Sequence, residues 1–547
     1  MDASATADRG ARITDRVVSR MLRLSPPTTG YTVERAISVP MRDGIDLVAD
    51  HYAPATARPR GTILVRGPYG RSFPFSVIYA QIYAARGYHV VFQSVRGTFG
   101  SGGTFEPMCH EAADAADTVA WLREQSWFTG SFATLGLSYL GFTQWALLSD
   151  PPPELAAAVI AVGPHDLYTS TWGSGAFALN DFLGWADMMA HQQRGPLHRL
   201  AYQVNATRRL RHAARDLPLG AAGRRLLGAE SAWYESWLEH PDGSDPFWAQ
   251  RRMTCALERC TIPVLLLTGW QDVFLDQTLE QFAQLQRRGI EVAMTVGPWT
   301  HDQMVTHATT RTARQTLSWL SRHLDGQPER RAPVRIHLTG SRPGSVDLPD
   351  WPPETRQLLL HPQPHGGLST ARPAPGPTAS FRFDPADPTP TVGGRLLSRR
   401  AGYRDDTALA GRSDVLCFTS TPIDGDLTVC GRPSVELDYD CGIGHFDVFV
   451  RVSEVGPGGR SRNVSDGYQR FFGPPDTSIR LELDAVAHRF SGGSRIRLLV
   501  AGGSHPRFAR NLGTGEPAVT GHRMAPAVHT LRIGPASRLS LPVADID

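Results

Sequence analysis

Phe132-Ala133-Thr134-Leu135-Gly136-Leu137-Ser138-Tyr139-Leu140-Gly141 runs from an apolar stretch through a tight turn into Phe142 to Leu148, which reads as a helix. A serine at the apex of a strand-turn-helix junction can be held exposed on a strained turn, and a glycine before it lets neighbouring backbone approach. The second glycine follows Ser138 by three residues, not two, and a chain with 53 glycines offers such spacings by chance. The setting, more than the spacing, makes Ser138 a candidate nucleophile.

Two further apolar runs end in loops that carry the partners a serine needs. Pro263-Val264-Leu265-Leu266-Leu267-Thr268-Gly269-Trp270-Gln271-Asp272 ends in a carboxylate, and Val292-Ala293-Met294-Thr295-Val296-Gly297-Pro298-Trp299-Thr300-His301 ends in a histidine. Open α/β sheets bind ligands beyond the carboxyl ends of their strands, and the order Ser, Asp, His is that of α/β-hydrolases. A hydroxyl attacks only when a base takes its proton; an imidazole can take and return it, and a carboxylate fixes the imidazole tautomer. Asp276, four residues on, competes with Asp272, because a loop aspartate is more often a helix cap or turn former.

Short apolar runs at Thr62 to Val65, Tyr88 to Phe92, Ala133 to Gly136, Ala157 to Ala161, Val264 to Leu267 and Val292 to Val296 have the character of buried parallel strands. Helical patterns between them, such as Glu111 to Glu124 and Thr278 to Arg287, predict a doubly wound α/β core. Its first part covers 31–160, opening on a hairpin turned at Arg42-Asp43-Gly44, and its second 253–328. Between them 161–252 lacks strand-like runs and reads as a helical cap over the site. Residues 1–30 form an extension in which Ile13, Val17, Met21 and Leu24 have roughly helical spacing, expected to pack on a neighbouring surface. Past a boundary near 329 the chain alternates with period two, as in Val448, Val450 and Val452, which predicts a β-sandwich or jelly roll over 329–547.

Composition excludes much else. The 547 residues include no lysine, so all 56 basic residues are arginine, and Schiff-base chemistry and the phosphate-binding P-loop lack their amine. A net charge of +3 with scattered arginines argues against nucleic acid, and no stretch is apolar enough for a membrane helix. The polar start Met1-Asp2-Ala3-Ser4-Ala5 lacks a signal-peptide pattern, so a cytoplasmic location is expected. The six cysteines form no zinc pattern. No metal or organic cofactor is implied, and a homodimer is compatible with this composition.

Together these segments resemble the cocaine-esterase-like and X-Pro dipeptidyl-peptidase hydrolases. Gly136-Leu137-Ser138-Tyr139-Leu140-Gly141 is similar to the family's nucleophile segment, Gly269-Trp270-Gln271-Asp272 to its acid loop and Gly297-Pro298-Trp299-Thr300-His301 to its histidine loop. Arg66-Gly67-Pro68-Tyr69 resembles the segment whose tyrosine hydroxyl joins a backbone N–H, here that of Tyr139, in the oxyanion hole. The resemblance implies an α/β-hydrolase core, a helical cap and a C-terminal jelly roll, with Trp185 and Phe274 in the acyl pocket. Val95 to Gly103 and Ser504 to Asn511 also match; the first is expected to be a structural loop beside the site. Gln271 departs from the aromatic residue often found before the acid.

The expected reaction is hydrolysis of a small-molecule ester, amide or peptide through an acyl-Ser138 intermediate. Three alternatives stand beside it. A dipeptidyl peptidase or α-amino-ester hydrolase needs an anionic cluster for the substrate ammonium, for which the cap offers Asp166 and Asp181. An acyltransferase or cyclase could use the same acyl-enzyme, and a non-catalytic binding protein could use the same scaffold.

Overall fold

The structure is a computed structural model that describes residues 13–328, 331–473 and 478–546. The start of the expected extension, 1–12, lies outside the described residues. Strands β1 (Tyr31–Pro40) and β2 (Asp46–Pro54) form the expected antiparallel hairpin. They are followed by β3 (Gly61–Gly67), β4 (Tyr88–Ser94), β5 (Phe132–Leu137), β6 (Leu155–Ala161), β7 (Val264–Gln271) and β8 (Val292–Thr300). The six runs predicted from apolar content lie within β3 to β8. Pairing runs β1-β2-β4-β3-β5-β6-β7-β8, antiparallel up to β2–β4 and parallel thereafter. Every residue of β3, β4 and β7 is buried, as expected of strands covered on both faces.

The sheet extends past the boundary expected at 329. Strand β9 (Val334–Gly340) adds parallel to β8, and β10 (Gly344–Leu348) turns back antiparallel on β9. Val334, Ile336 and Leu338 alternate like any half-buried strand, so the pattern announces a strand without saying which sheet it joins. Strand β9 also pairs with Val486–Phe490, which couples the core sheet to the C-terminal unit. There, Val415–Ser420, Arg495–Ala501, His445–Val455 and Ser461–Phe472 form one antiparallel sheet. It shares a core with strands that include Ser434–Cys441 and Arg538–Val543, through Val448, Val450 and Leu498 from one side and Val435, Leu437 and Leu541 from the other.

Residues 13–21 are helical, but the packing face is not the expected one. Ile13, Val17 and Met21 point outward, while Val18, Leu22 and Leu24 meet the core. Polar anchors set this orientation: Arg86 donates to Ser19 Oγ (2.9 Å) and Tyr31 to Asp15 (3.3 Å). Among the described residues, no helix is long and apolar enough to cross a membrane.

A buried ionic chain crosses the C-terminal unit. Arg451 donates two hydrogen bonds to Asp466 (2.7 and 2.8 Å), and Arg507 donates to the same carboxylate (3.1 Å). Removing the guanidinium leaves buried carboxylates short of charge, so Arg451→Met is expected to cost about 3–5 kcal/mol. Urea unfolding followed by tryptophan fluorescence reads this as an earlier transition. The exposed Arg460–Asp405 pair is the control, and Arg460→Met is expected to leave the curve in place.

Candidate active site

Ser138 joins β5 to helix α1 (Tyr139–Leu148), and its backbone is forced to φ 62°, ψ −121°. A non-glycine residue holds such angles only where its surroundings over-determine them. Here Ser138 N–H donates to Ala161 O (2.9 Å) on β6, and the glycines on either side close the turn. A Cβ at Gly136 would lie 2.4 Å from Leu140 Cβ, and one at Gly141 would lie 2.5 Å from Gly163 Cα. Leu140 wedges between β5 and β3, while the helix crosses the backbone beyond β6 one residue later, at Gly141. That crossing explains a glycine at three residues after the serine instead of two.

Beyond the end of β7, Asp272 is fully buried. Its Oδ1 accepts from Phe274 N–H (2.7 Å) and its Oδ2 lies 2.6 Å from His301 Nδ1. His301 opens a short helix, His301–Met304, after β8, where Thr300 and Gln303 form a capping box that fixes the entry angle. Burial pulls the imidazole pKa down, but the charge and hydrogen bond of Asp272, with Asp302 and Asp181 adding to them, lift it above 6.5 overall. Asp276 is turned away toward the C-terminal unit, where Arg395 (2.7 Å) and Arg432 (2.8 Å) bind it. The geometry therefore pairs His301 with Asp272.

Tyr69 lies in the loop after β3. Its hydroxyl accepts from Trp185 Nε1–H (3.1 Å) and is near enough to the Ser138 hydroxyl to feel it. Burial raises its pKa above 10, so it remains a proton donor. Tyr139 is the first residue of α1, where backbone N–H groups lack helical acceptors. Its side chain is an anchor: the hydroxyl donates to Glu111 (2.7 Å) and accepts from Met108 N–H (2.8 Å), while Glu111 pairs with Arg66 (3.3 Å). Among the described residues no hydrogen bond joins Ser138 Oγ to His301; the serine hydroxyl is set against Tyr69.

A small pocket opens beside Ser138. Helix α2 (Leu179–His191) of the insertion supplies Phe182 and Trp185, the helix Trp233–Glu239 adds Trp237, and the loop after β7 adds Phe274, whose ring stands edge-on to His301 with centroids 5.4 Å apart. Met108 and Leu397 complete much of the wall. Leu397 comes from the far side of the chain, and no local pattern marks it; its backbone N–H is tied to Asp181 (2.8 Å). The Ser504 to Asn511 segment holds the same seam, through Asn180 N–H to Pro506 O (2.9 Å) and Ala509 N–H to Phe177 O (2.8 Å). The glycine-rich Val95 to Gly103 loop packs behind Tyr69, with Phe99 against Gly70 and its carbonyl accepting from Arg71 (3.2 Å).

Among the described residues no carboxylate lines this pocket. Asp166 caps the helix Leu167–Trp172 and pairs with Arg252 (2.9 Å). Asp181 is occupied by Leu397 and Asn180, and burial pushes its pKa up to about 6.

Comparison with known proteins places this geometry in a lineage. Residues 43–303 match the family model of X-Pro dipeptidyl-peptidase (S15 family), and residues 326–541 match that of the X-Pro dipeptidyl-peptidase C-terminal non-catalytic domain. Cocaine esterase from Rhodococcus sp. (strain MB1 Bresler) is 28% identical, over 94% of this chain and 99% of its own length. An aminopeptidase from a marine sediment Thaumarchaeota archaeon superposes with a TM-score of 0.80 at 23% identity, covering 94% of this chain and 96% of its own. An α-amino acid ester hydrolase superposes at 0.79 with 22% identity, covering 95% and 98%. With both halves matched in sequence and the whole fold matched in space, the chain belongs to the X-Pro dipeptidyl-peptidase (S15) family and is a hydrolase of the serine esterase or X-Pro peptidase type.

Proposed function

We propose that the protein is a serine esterase in which Ser138 is acylated, His301 is the general base and acid, and Asp272 holds the imidazole. The observation that carries the esterase reading is the apolar lining of the Ser138 pocket. A peptidase or α-amino-ester hydrolase must neutralise a substrate ammonium, and a buried ammonium without a carboxylate is prohibitively costly. Of the two cap aspartates, Asp166 is paired with Arg252, and Asp181 lies outside the lining of this pocket, held by Asn180 and by Leu397 N–H.

The geometry supports this chemistry. Rotation about the Ser138 Cα–Cβ bond hands its hydroxyl to the imidazole; such bonds are often open in unliganded enzymes and close on substrate. The carbonyl oxygen then becomes an oxyanion that the Tyr69 hydroxyl and Tyr139 N–H stabilise. Because Trp185 donates to Tyr69, the tyrosine's own proton is directed away from the indole and is available to the oxyanion. Treatment with a fluorophosphonate followed by peptide mapping tests the assignment: the adduct is expected on Ser138, and labelling of any other serine rejects it.

The oxyanion contacts are separable. Tyr69→Phe is expected to lower kcat about 10²- to 10³-fold, the usual cost of losing one such donor. Trp185→Phe keeps an aromatic wall but removes the N–H that orients Tyr69, with an expected loss of about fivefold. In the Tyr69→Phe background Trp185→Phe should add little, which steady-state kinetics on one activated ester will read as coupling.

A further inference from the structure

A second cleft adjoins the Ser138 pocket, and Phe182, Phe274 and Leu397 form walls of both. It measures about 250 Å³ against about 20 Å³ for the pocket beside Ser138. The two differ in chemistry as well as size. The small pocket is walled mainly by aromatic and aliphatic side chains; the cleft is lined by Thr169, Ser170 and Ser174, by Asp181 and Asp276, and by arginines and carboxylates of the C-terminal unit. The dividing wall includes Phe274, which packs against His301. A leaving group departs next to the acid that protonates it, and the wall between the two spaces carries Phe274 against that acid.

The charges in the cleft select its occupant. Asp276 is bound by Arg395 and Arg432, Asp484 by Arg395, Asp466 by Arg451 and Arg507, and Glu482 by Arg432. These four carboxylates are paired with arginines, and Asp181, the fifth in the lining, is held by Asn180 and by Leu397 N–H and has its pKa pushed up to about 6 by burial, so an ammonium meets acids that are already hydrogen-bonded. The cleft carries five acids, these four and Asp181, against three arginines, Arg395, Arg432 and Arg507, which opposes a full anion. Arg395 is the exception to this pairing. Its side chain is 11% exposed, its Nη2 serves both aspartates, and its Nε and Nη1 are buried without a partner. Buried guanidinium N–H groups without acceptors call for a ligand or water that brings oxygen.

Resting on the esterase reading above, we propose that the preferred substrate is an ester of a small apolar acid with a larger, uncharged alcohol rich in ether, hydroxyl or carbonyl oxygens, and that Arg395 receives that alcohol. The reaction is balanced within the site. Ser138 Oγ bonds to the acyl carbon, the bond from that carbon to the alcohol oxygen breaks, and the serine proton passes through His301 to the departing oxygen; water then releases the acid.

The test compares 2-(2-methoxyethoxy)ethyl acetate with n-heptyl acetate, whose alcohols have equal numbers of heavy atoms. The oxygenated ester is expected to show about tenfold higher kcat/KM, the worth of one or two hydrogen bonds to a charged donor. Arg395→Met should collapse that ratio to about one, carried mainly by KM. Should this variant fail to fold, Arg395→Lys retains the charge facing Asp276 and Asp484 while losing the fork of N–H donors, and it should collapse the ratio likewise. Equal rates on the two esters in the wild type, with Ser138 still labelled by fluorophosphonate, overturn the cleft proposal alone. No hydrolysis of either ester and no Ser138 adduct overturn the esterase reading and this inference with it.

Discussion

Ser138→Ala is expected to lower kcat on an activated ester by about 10⁶-fold, leaving only what oxyanion donors and binding provide over water. The argument rests on the backbone as much as the side chain. A residue at φ 62°, ψ −121° between a buried strand and a buried helix is held there by Ala161 and by contacts that admit only glycine at 136 and 141. Alanine has the same backbone preferences as serine apart from its hydroxyl, so the variant should fold and keep its unfolding midpoint. His301→Ala is expected to cost about as much, and the double variant no more than either alone, because the two act as one unit. Retention of more than about 1% of activity by Ser138→Ala would sink the nucleophile assignment.

The parts of this site that could be read in advance share a physical cause. Strands buried on both faces must be continuously apolar, so β3 to β8 announce themselves, and chemistry placed beyond their carboxyl ends is found by reading the next few residues. Ser138, Asp272 and His301 all lie there. What stayed hidden depends on contacts between residues distant in sequence. Leu397 and Arg395 reach the site from the C-terminal unit through a tether to Asp181 and ion pairs to Asp276 and Asp484; neither sits in a periodic pattern. The outward turn of Ile13, Val17 and Met21 has the same origin, since polar anchors at Ser19 and Asp15 outweigh an apolar stripe only two turns long.

The C-terminal unit is therefore part of the architecture of the proposed active site. It supplies one wall of the small pocket, the orphaned donors of the adjoining cleft, and both cations that hold Asp276 away from His301. That last point gives the second aspartate a distinct role. With Asp276 committed to Arg395 and Arg432, the imidazole hydrogen-bonds to Asp272, which sets its tautomer, while Asp302 and Asp181 act on it only through their charge.

Asp272→Asn is accordingly expected to lower kcat by about 10⁴-fold while preserving the fold. The amide is nearly isosteric, but its –NH₂ can face Nδ1, which would turn the imidazole into the tautomer whose Nε2 carries a proton and cannot accept one from Ser138. The pH profile separates this from a packing defect. His301 must be neutral to act as base, and Asp272 is among the groups that raise its pKa above 6.5 against the opposing effect of burial. The acid limb of kcat/KM in the wild type should therefore lie above pH 6.5, activity being lost as pH falls through it and the imidazole takes a proton. Without the carboxylate charge, burial prevails, and the limb in Asp272→Asn should move to lower pH even as the plateau collapses. Asp276→Asn, which alters a carboxylate bound to two arginines, is expected to leave the limb in place. An acid limb that shifts with Asp276 and not with Asp272 would reverse the assignment of the two.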